Sequence, residues 1–338
     1  MNVTQLSLGD LAGNFLLRRQ NAALKQSLTR LTNEVTTGRA QDSVSHLAGR
    51  LSTLSALERD LDLIGAHRLA VSEAGVQATS MQAALGQVHD SVAGLAETVG
   101  MASLVPGSAG RDSVTVVARQ TLGTMLSSLN TQVAGRSLFA GTDIAAQPLQ
   151  DADTLQEALR ASLAGLTTAE DIMSAADAFF DTEGGVFDTD IYQGADTNLA
   201  PFVLGGGQTV RLDIRADDPA LKSAIKTAAV TSLIEDMAPN LASNEVENLF
   251  DAVTGRAIGD QDRLTRLRGE LGFAEQRIDI RHVELASMKS NTEQARNDLL
   301  SVDMYQSATE LESVQQQLET LYTLTARSAR LSLVNFLS

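Results

Sequence analysis

The chain has 338 residues and a net charge of −16, with no cysteine, no tryptophan, three Tyr and nine Phe, and hydrophobic residues make up 43% of it. That length exceeds one average domain, and cores built from Leu, Val, Ile, Met and Ala suit helix-on-helix packing. The acidic balance argues against a nucleic-acid partner, which needs clustered Lys and Arg, and the missing cysteine excludes disulfides, thiol chemistry and cysteine–zinc sites.

The charge is unevenly placed. Thr142 to Gly255 holds 20 acidic and five basic residues, whereas the rest holds 22 and 21. All five prolines lie between Pro106 and Pro239, so both arms are free of the strongest helix breaker. The N-terminus lacks the basic start and apolar block of a cleaved secretory signal. No stretch approaches the roughly 18 uninterrupted apolar residues of a membrane span, so no membrane insertion is expected.

In chain order, Leu17, Leu24 and Leu31 recur every seven residues, with Leu28 and Val35 between, which predicts a helix ending near Gly38. A polar linker follows from Arg39 to Ser45. Leu57, Ile64, Val71, Ala78, Leu85, Val92 and Val99 then form one series, and Ala74, Met81, Val88, Leu95 and Ala102 a companion. Together they predict one seam of a long coiled-coil-like helix. Its glycines (65, 75, 86, 94 and 100) weaken it on propensity and suggest close approach of a neighbour. A turn at Leu104 to Gly107 ends it, and another helix is expected over roughly 113–136.

In the acidic middle, Thr154 with Glu157 and Thr167 with Glu170 have capping-box spacing and predict two short helices. Val210, Leu212 and Ile214 alternate with polar residues as in a half-buried strand, and Phe202 to Leu204 before Gly205-Gly206-Gly207 predicts a hairpin. Asp218-Pro219 predicts the start of a helix reaching about Met237. The last arm mirrors the first: Leu264, Leu271, Ile278, Leu285 and Leu299 form one series, interrupted by Thr292. Leu267, Ala274, Met288, Ala295 and Val302 form the companion, interrupted by Arg281. After a phase break near Asp303 the stripe continues through Leu311, Val314, Leu318 and Leu321, and the chain finishes with Leu333 and Phe336 in an apolar tail. The expected fold is mainly α: long helical arms from both termini form a stalk, and a small α+β domain is inserted centrally.

Residues carrying chemistry are sparse. His46, His67, His89 and His282 form no close pair and no His-Glu-x-x-His spacing. The triple glycine lacks the Lys-Ser/Thr of a phosphate loop. Asp217-Asp218 and Asp188-x-Asp190 do not sit in a twelve-residue calcium loop. An enzyme working through Asp188, Asp190 or Asp213 has nothing to arrange those carboxylates. No catalytic residue, cofactor or metal is expected, so the apolar stripes are the strong signal. Short amphipathic helices are marginal alone in water, so the terminal stripes are expected to be completed by neighbouring subunits. The candidate assembly interface is Leu17, Leu24, Leu28, Leu31, Val35, Leu311, Val314, Leu318, Leu321, Leu333 and Phe336.

Both arms resemble the flagellin family, and within it the hook–filament junction members. Leu28 to Arg39, ending in Thr37-Gly38-Arg39, is similar to the family's N-terminal helix and its Thr-Gly-Lys/Arg element. Asp42 and Ser43 partly match its Asp-rich turn. Leu138-Phe139-Ala140-Gly141-Thr142 resembles a Leu-Phe-x-Gly-Thr element. Asp303 to Leu311 resembles an Asp-Tyr-x-x-Ala-x-x-x-Leu pattern, and Ser332 to Leu337 a Ser-Leu-x-Asp-Tyr-Leu ending, with Asn335 and Phe336 as departures.

The resemblance implies an extracellular flagellar structural protein, exported through the type III channel without a cleaved signal. It implies terminal assembly helices (1–45 with 303–338), a long-helix stalk (46–141 with 241–302) and an acidic outer domain (142–240). The implied partners are sister subunits in a ring, the first hook-associated protein, flagellin, and an export chaperone on the C-terminal helix. A flagellin filament subunit is the nearest alternative. A helical tether with an acidic binding domain is a further one, and it would need an anchor or export signal.

Overall fold

The computed structural model describes residues 4–103 and 108–337, with side chains left aside for 4–11, 14, 103, 108–111 and 328–337. Among these residues the fold is mainly α, with two small two-stranded sheets. The chain divides into two compact units, Met1–Ile64 with Ser287–Ser338 and Gly65–Ala286.

The first unit holds α1 (Thr4–Thr37), α2 (Ser43–Leu47), α9 (Met304–Leu337) and parts of α3 (Leu51–Ser103) and α8 (Ser243–Leu300). Helix α1 stops where the sequence predicts. Gly38 adopts φ +69°, and its N–H bonds the Glu34 carbonyl (2.8 Å), which closes the last turn. The expected linker is shorter than Arg39 to Ser45, because the Asp42 carboxylate accepts the Val44 and Ser45 N–H groups and starts α2 at Ser43. Leu47 then seats α2 in the core. The phase break near Asp303 is real. α8 ends at Leu300, and Asp303 caps α9 through the Tyr305 and Gln306 N–H groups.

The second unit is built around a buried seam. On α3, Val71, Ala74, Ala78, Met81, Leu85, Val88, Val92, Leu95 and Val99 are all buried, and the series begins at Ile64, the last α3 residue of the first unit. On α8 the buried members are Leu264, Leu267, Leu271, Ile278, Arg281 and Leu285. Beyond Leu285 the seam opens, and Met288 is exposed. The α3 glycines do not mark forced contacts. Gly75 and Gly86 would place a Cβ at ordinary distance from Ile278 and Arg268, and a Cβ built on Gly65, Gly94 or Gly100 would meet no neighbouring element within 4 Å.

Helix α7 (Pro219–Met237) is the hub, capped by Asp218 as expected, with the Ala220 N–H as partner. It is buried nearly all round, as a helix surrounded by others must be. It packs against α4 (Ser108–Leu129), α5 (Ala152–Ser162) and α6 (Ala169–Asp181). Its polar side chains are matched. Asp260 of α8 is fully buried and accepts hydrogen bonds from Ser223, Thr227 and Arg263. Lys226, 4% exposed, reaches Asp177 (2.7 Å) and Asp181 (2.5 Å) of α6. Arg256 also holds Asp177 and, with Lys226, lowers its pKa to about 2.

Three expectations are corrected here. α4 ends at Leu129 rather than near Arg136, because Asn130 turns its side chain to Leu149 and exchanges two 2.9 Å hydrogen bonds with that backbone. A hairpin follows, β1 (Gln132–Val133) with β2 (Arg136–Ser137), whose Ala134 and Gly135 both have positive φ, as a tight two-residue turn needs. The short helices start elsewhere than Thr154 and Thr167 indicate. Asp151 caps α5 through the Thr154 N–H, and Thr168 with Asp171 forms the box that starts α6. The alternation through Ile214 makes only a short strand. β3 (Phe202–Gly205) pairs with β4 (Gln208–Val210), and residues 211–215 leave the ladder although Leu212 stays buried.

The Leu-Phe-Ala-Gly-Thr run acts as a backbone junction. Phe139 and Ala140 are buried, and their carbonyls accept the N–H groups of Ala216 and Ala195. Thr142 N–H donates to the Thr197 carbonyl. Gly141 at φ +64° is required, since a Cβ there would lie 2.5 Å from that same carbonyl.

Candidate assembly surface

The terminal stripes meet in the first unit. Val302 N–H donates to the Gly38 carbonyl (3.1 Å) and Ala40 N–H to the Leu300 carbonyl (3.0 Å), a short antiparallel bridge between Arg39 and Ser301. From this fastening α1 and α9 pack along one another in opposite directions. Glu34 is buried beside it, accepting from Arg30 (2.8 Å) and from the Gln41 N–H (3.2 Å). Arg39 reaches Asn297 across the same corner. The Thr-Gly-Arg element is thus where the first helix is tied to the last.

Of the expected interface residues, Leu31, Leu318 and Leu321 are buried within the subunit itself. Leu17, Leu24, Leu28, Val35, Leu311 and Val314 are half-buried. Leu333 and Phe336 lie in α9 with side chains outside the described residues. The apolar side chains left open are others. Phe15 is 68% and Leu16 62% exposed on α1, and Tyr322 and Leu324 are about half exposed on α9. With equal helical rise from the Gly38–Val302 fastening, Phe15 and Leu16 fall about level with Leu324. The heptad count missed them because they stand off the strongest stripe. The signal available was Phe15-Leu16 itself, two large apolar residues preceding Leu17.

The acidic residues of the middle segment serve structural partners. Asp188 accepts from Lys222 and from the Gly184 N–H, and Asp217 pairs with Arg215 at 2.7 Å. Asp218 caps α7, and burial raises its pKa above the ordinary carboxylate range. Asp190 and Asp213 are exposed. His67 packs against Gly205, while His89 contacts Asp90 and Thr265. Arg281, the break in the α8 series, is explained by the hairpin: its Nε donates to the Leu204 carbonyl at 2.9 Å, and Arg277 donates to the Thr209 carbonyl. Among the described residues no group of three or more His, Asp and Glu is placed to hold a metal, and no helix is long and apolar enough to cross a membrane.

No curated protein matches the sequence. Solved structures share the fold, two flagellar proteins among them. A flagellar hook-associated protein from Vibrio parahaemolyticus is similar with a TM-score of 0.51 at 15% identity, covering 73% of this chain and 95% of that one. Bacillus cereus FlgL is similar with a TM-score of 0.52 at 16% identity, covering 72% and 99%. Residues 255–337, most of α8 and all of α9, match the family described as bacterial flagellin C-terminal helical region, so the chain carries that region on a fold similar to flagellar hook-associated proteins.

Proposed function

We propose that the chain is a structural component of the bacterial flagellum, an extracellular adaptor at the hook–filament junction. Its sisters form a ring that meets the first hook-associated protein on one side and flagellin on the other. The observation that carries this reading is the α1–α9 pair, which buries part of its apolar stripe internally and leaves Phe15 and Leu16 exposed on α1 and Tyr322 and Leu324 exposed on α9, within the flagellin-type C-terminal region. Neighbouring subunits cover these side chains and complete the half-buried Leu17, Leu24, Leu28, Leu311 and Val314. The apolar C-terminal end of α9 is the segment an export chaperone shields before secretion.

Because Leu318 is buried inside the subunit, a charge there tests folding as well as assembly. Phe15→Asp and Leu324→Asp are the cleaner pair. Both keep the helical signal and thermal midpoint of the purified chain, and both lose incorporation into flagella, read by labelling the protein in electron micrographs. Labelling as one band between hook and filament is the expected pattern. Labelling along the whole filament selects the flagellin reading, which the match at residues 255–337 equally favours.

A further inference from the structure

A groove of about 430 Å³ lies between α3 and the β1–β2 hairpin, inside the unit Gly65–Ala286. Its walls are apolar, with Leu69, Val76, Leu138, Ile144, Leu199 and Ile214 prominent, and the Glu73–Arg136 ion pair (2.6 Å) stands at it. Leu69 and Val76 are exposed and seven residues apart, on the side of α3 away from its buried seam. Ser137 also lines the groove. It is only 6% exposed, and its Oγ has no hydrogen-bond partner, a state that costs free energy until something supplies one.

The same unit carries a projecting counterpart. On α8, Phe273 (71% exposed), Ile280 and Val283 form one apolar stripe at helical spacing, turned away from the buried Leu271, Ile278 and Leu285. Gly269 and Gly272 beside it have nothing within 4 Å of a built Cβ. None of the groove-lining residues belongs to α8. A hollow and a ridge on different surfaces of one unit make a head-to-tail contact between copies, the kind that closes into a ring or extends as a helix.

We propose that the α3–hairpin groove receives the Phe273 stripe of a second copy of this chain, an inference that rests on the assembly role above and specifies its lateral contact. Phe273 fills the hollow against Leu69 and Val76.

The chain has no cysteine, so engineered thiols report cleanly. Full-length Val76→Cys and Phe273→Cys are oxidised separately and mixed, at concentrations where sedimentation shows self-association. The mixture is expected to yield disulfide-linked dimer well above either variant alone, and Phe273→Ala weakens association by about tenfold. Both surface positions leave the thermal midpoint unchanged, which separates contact loss from misfolding. Association without the mixed cross-link, or cross-linking by Phe273→Cys alone, overturns the proposed contact and leaves the assembly role standing. Saturable uptake of an apolar dye that Val76→Asp abolishes, with association untouched, assigns the groove to a small molecule and likewise overturns it. A chain that never self-associates overturns both.

Discussion

At the scale of single residues, the molecule depends on a few polar side chains that stand in for backbone or bind several helices at once. Lys226 is the clearest. Its ammonium is held by Asp177 and Asp181 while its stem is buried on the hub helix. Lys226→Ala is expected to cost about 2 kcal/mol in chemical denaturation, and Lys226→Met about half that, because the stem packing survives. Both carboxylates regain water when the cation goes, which keeps the loss below that of a fully buried pair.

The same cluster sets an acid limit. Arg256 and Lys226 lower the Asp177 pKa from 3.8 to about 2, so its stabilisation is complete above the ordinary carboxylate range and is lost as pH falls from about 4 through 2. Asp177 is 40% exposed, so solvent screening reduces the effect to roughly 1 kcal/mol. Asp177→Asn should remove that part of the slope in a comparison of unfolding at pH 5 and pH 2.5.

Asn130 is the other decisive residue, since it both donates to and accepts from the buried backbone of Leu149. Asn130→Ala leaves the buried Leu149 N–H unpaired, while the Leu149 carbonyl keeps only the 3.3 Å bond from Gln147. It is expected to lower stability by about 2 kcal/mol and to raise hydrogen exchange at Leu149.

At the scale of elements, the long periodic segments and the glycine hairpin were legible, while the boundaries of the short helices were not. Ile64 through Val99 and Leu264 through Leu285 announce themselves because one buried face repeats over many turns, and each turn adds the same evidence. Gly38 and Asp218 end and begin helices by local chemistry alone, so they too could be read in place. The end of α4 could not, because the reason lies nineteen residues away at Leu149. The caps of α5 and α6 were misplaced for a similar reason: several hydroxyls and carboxylates compete within each turn, and only the fold decides between Asp151 and Thr154, or Thr167 and Thr168.

Arg281 looked like a flaw in its series until the hairpin carbonyl gave it a partner. The assembly stripe was read from its strongest members, of which the subunit buries Leu31, Leu318 and Leu321 itself. Gly94 offers a test at this scale. It sits inside α3 with open space around it, so Gly94→Ala should stabilise by about 0.5–1 kcal/mol and raise the thermal midpoint by ~1–3 °C. A fall would mean that a neighbour not visible in the single chain needs that space.

At the scale of the whole molecule, each compact unit has its own packed interior and its own exposed apolar surface. Gly65–Ala286 buries a continuous seam, a polar-matched hub helix and the Phe139–Gly141 junction, and leaves the Phe273 stripe outside. Met1–Ile64 with Ser287–Ser338 is organised around a helix pair that leaves large apolar side chains outside. Association is therefore left to apolar side chains that the cores do not use, and substitutions at Phe15 or Leu324 should change association without changing unfolding.

The corner where Gly38 and Ala40 bond Val302 and Leu300 has a mechanical meaning. Among the described residues the backbone fastening of the two terminal helices lies at this one end, so a load separating the far ends peels them apart one turn at a time at low force. A load along their length must break every side-chain contact together. A subunit gripped along its length in a tube resists in the strong direction, while one threading through a narrow channel opens in the weak one.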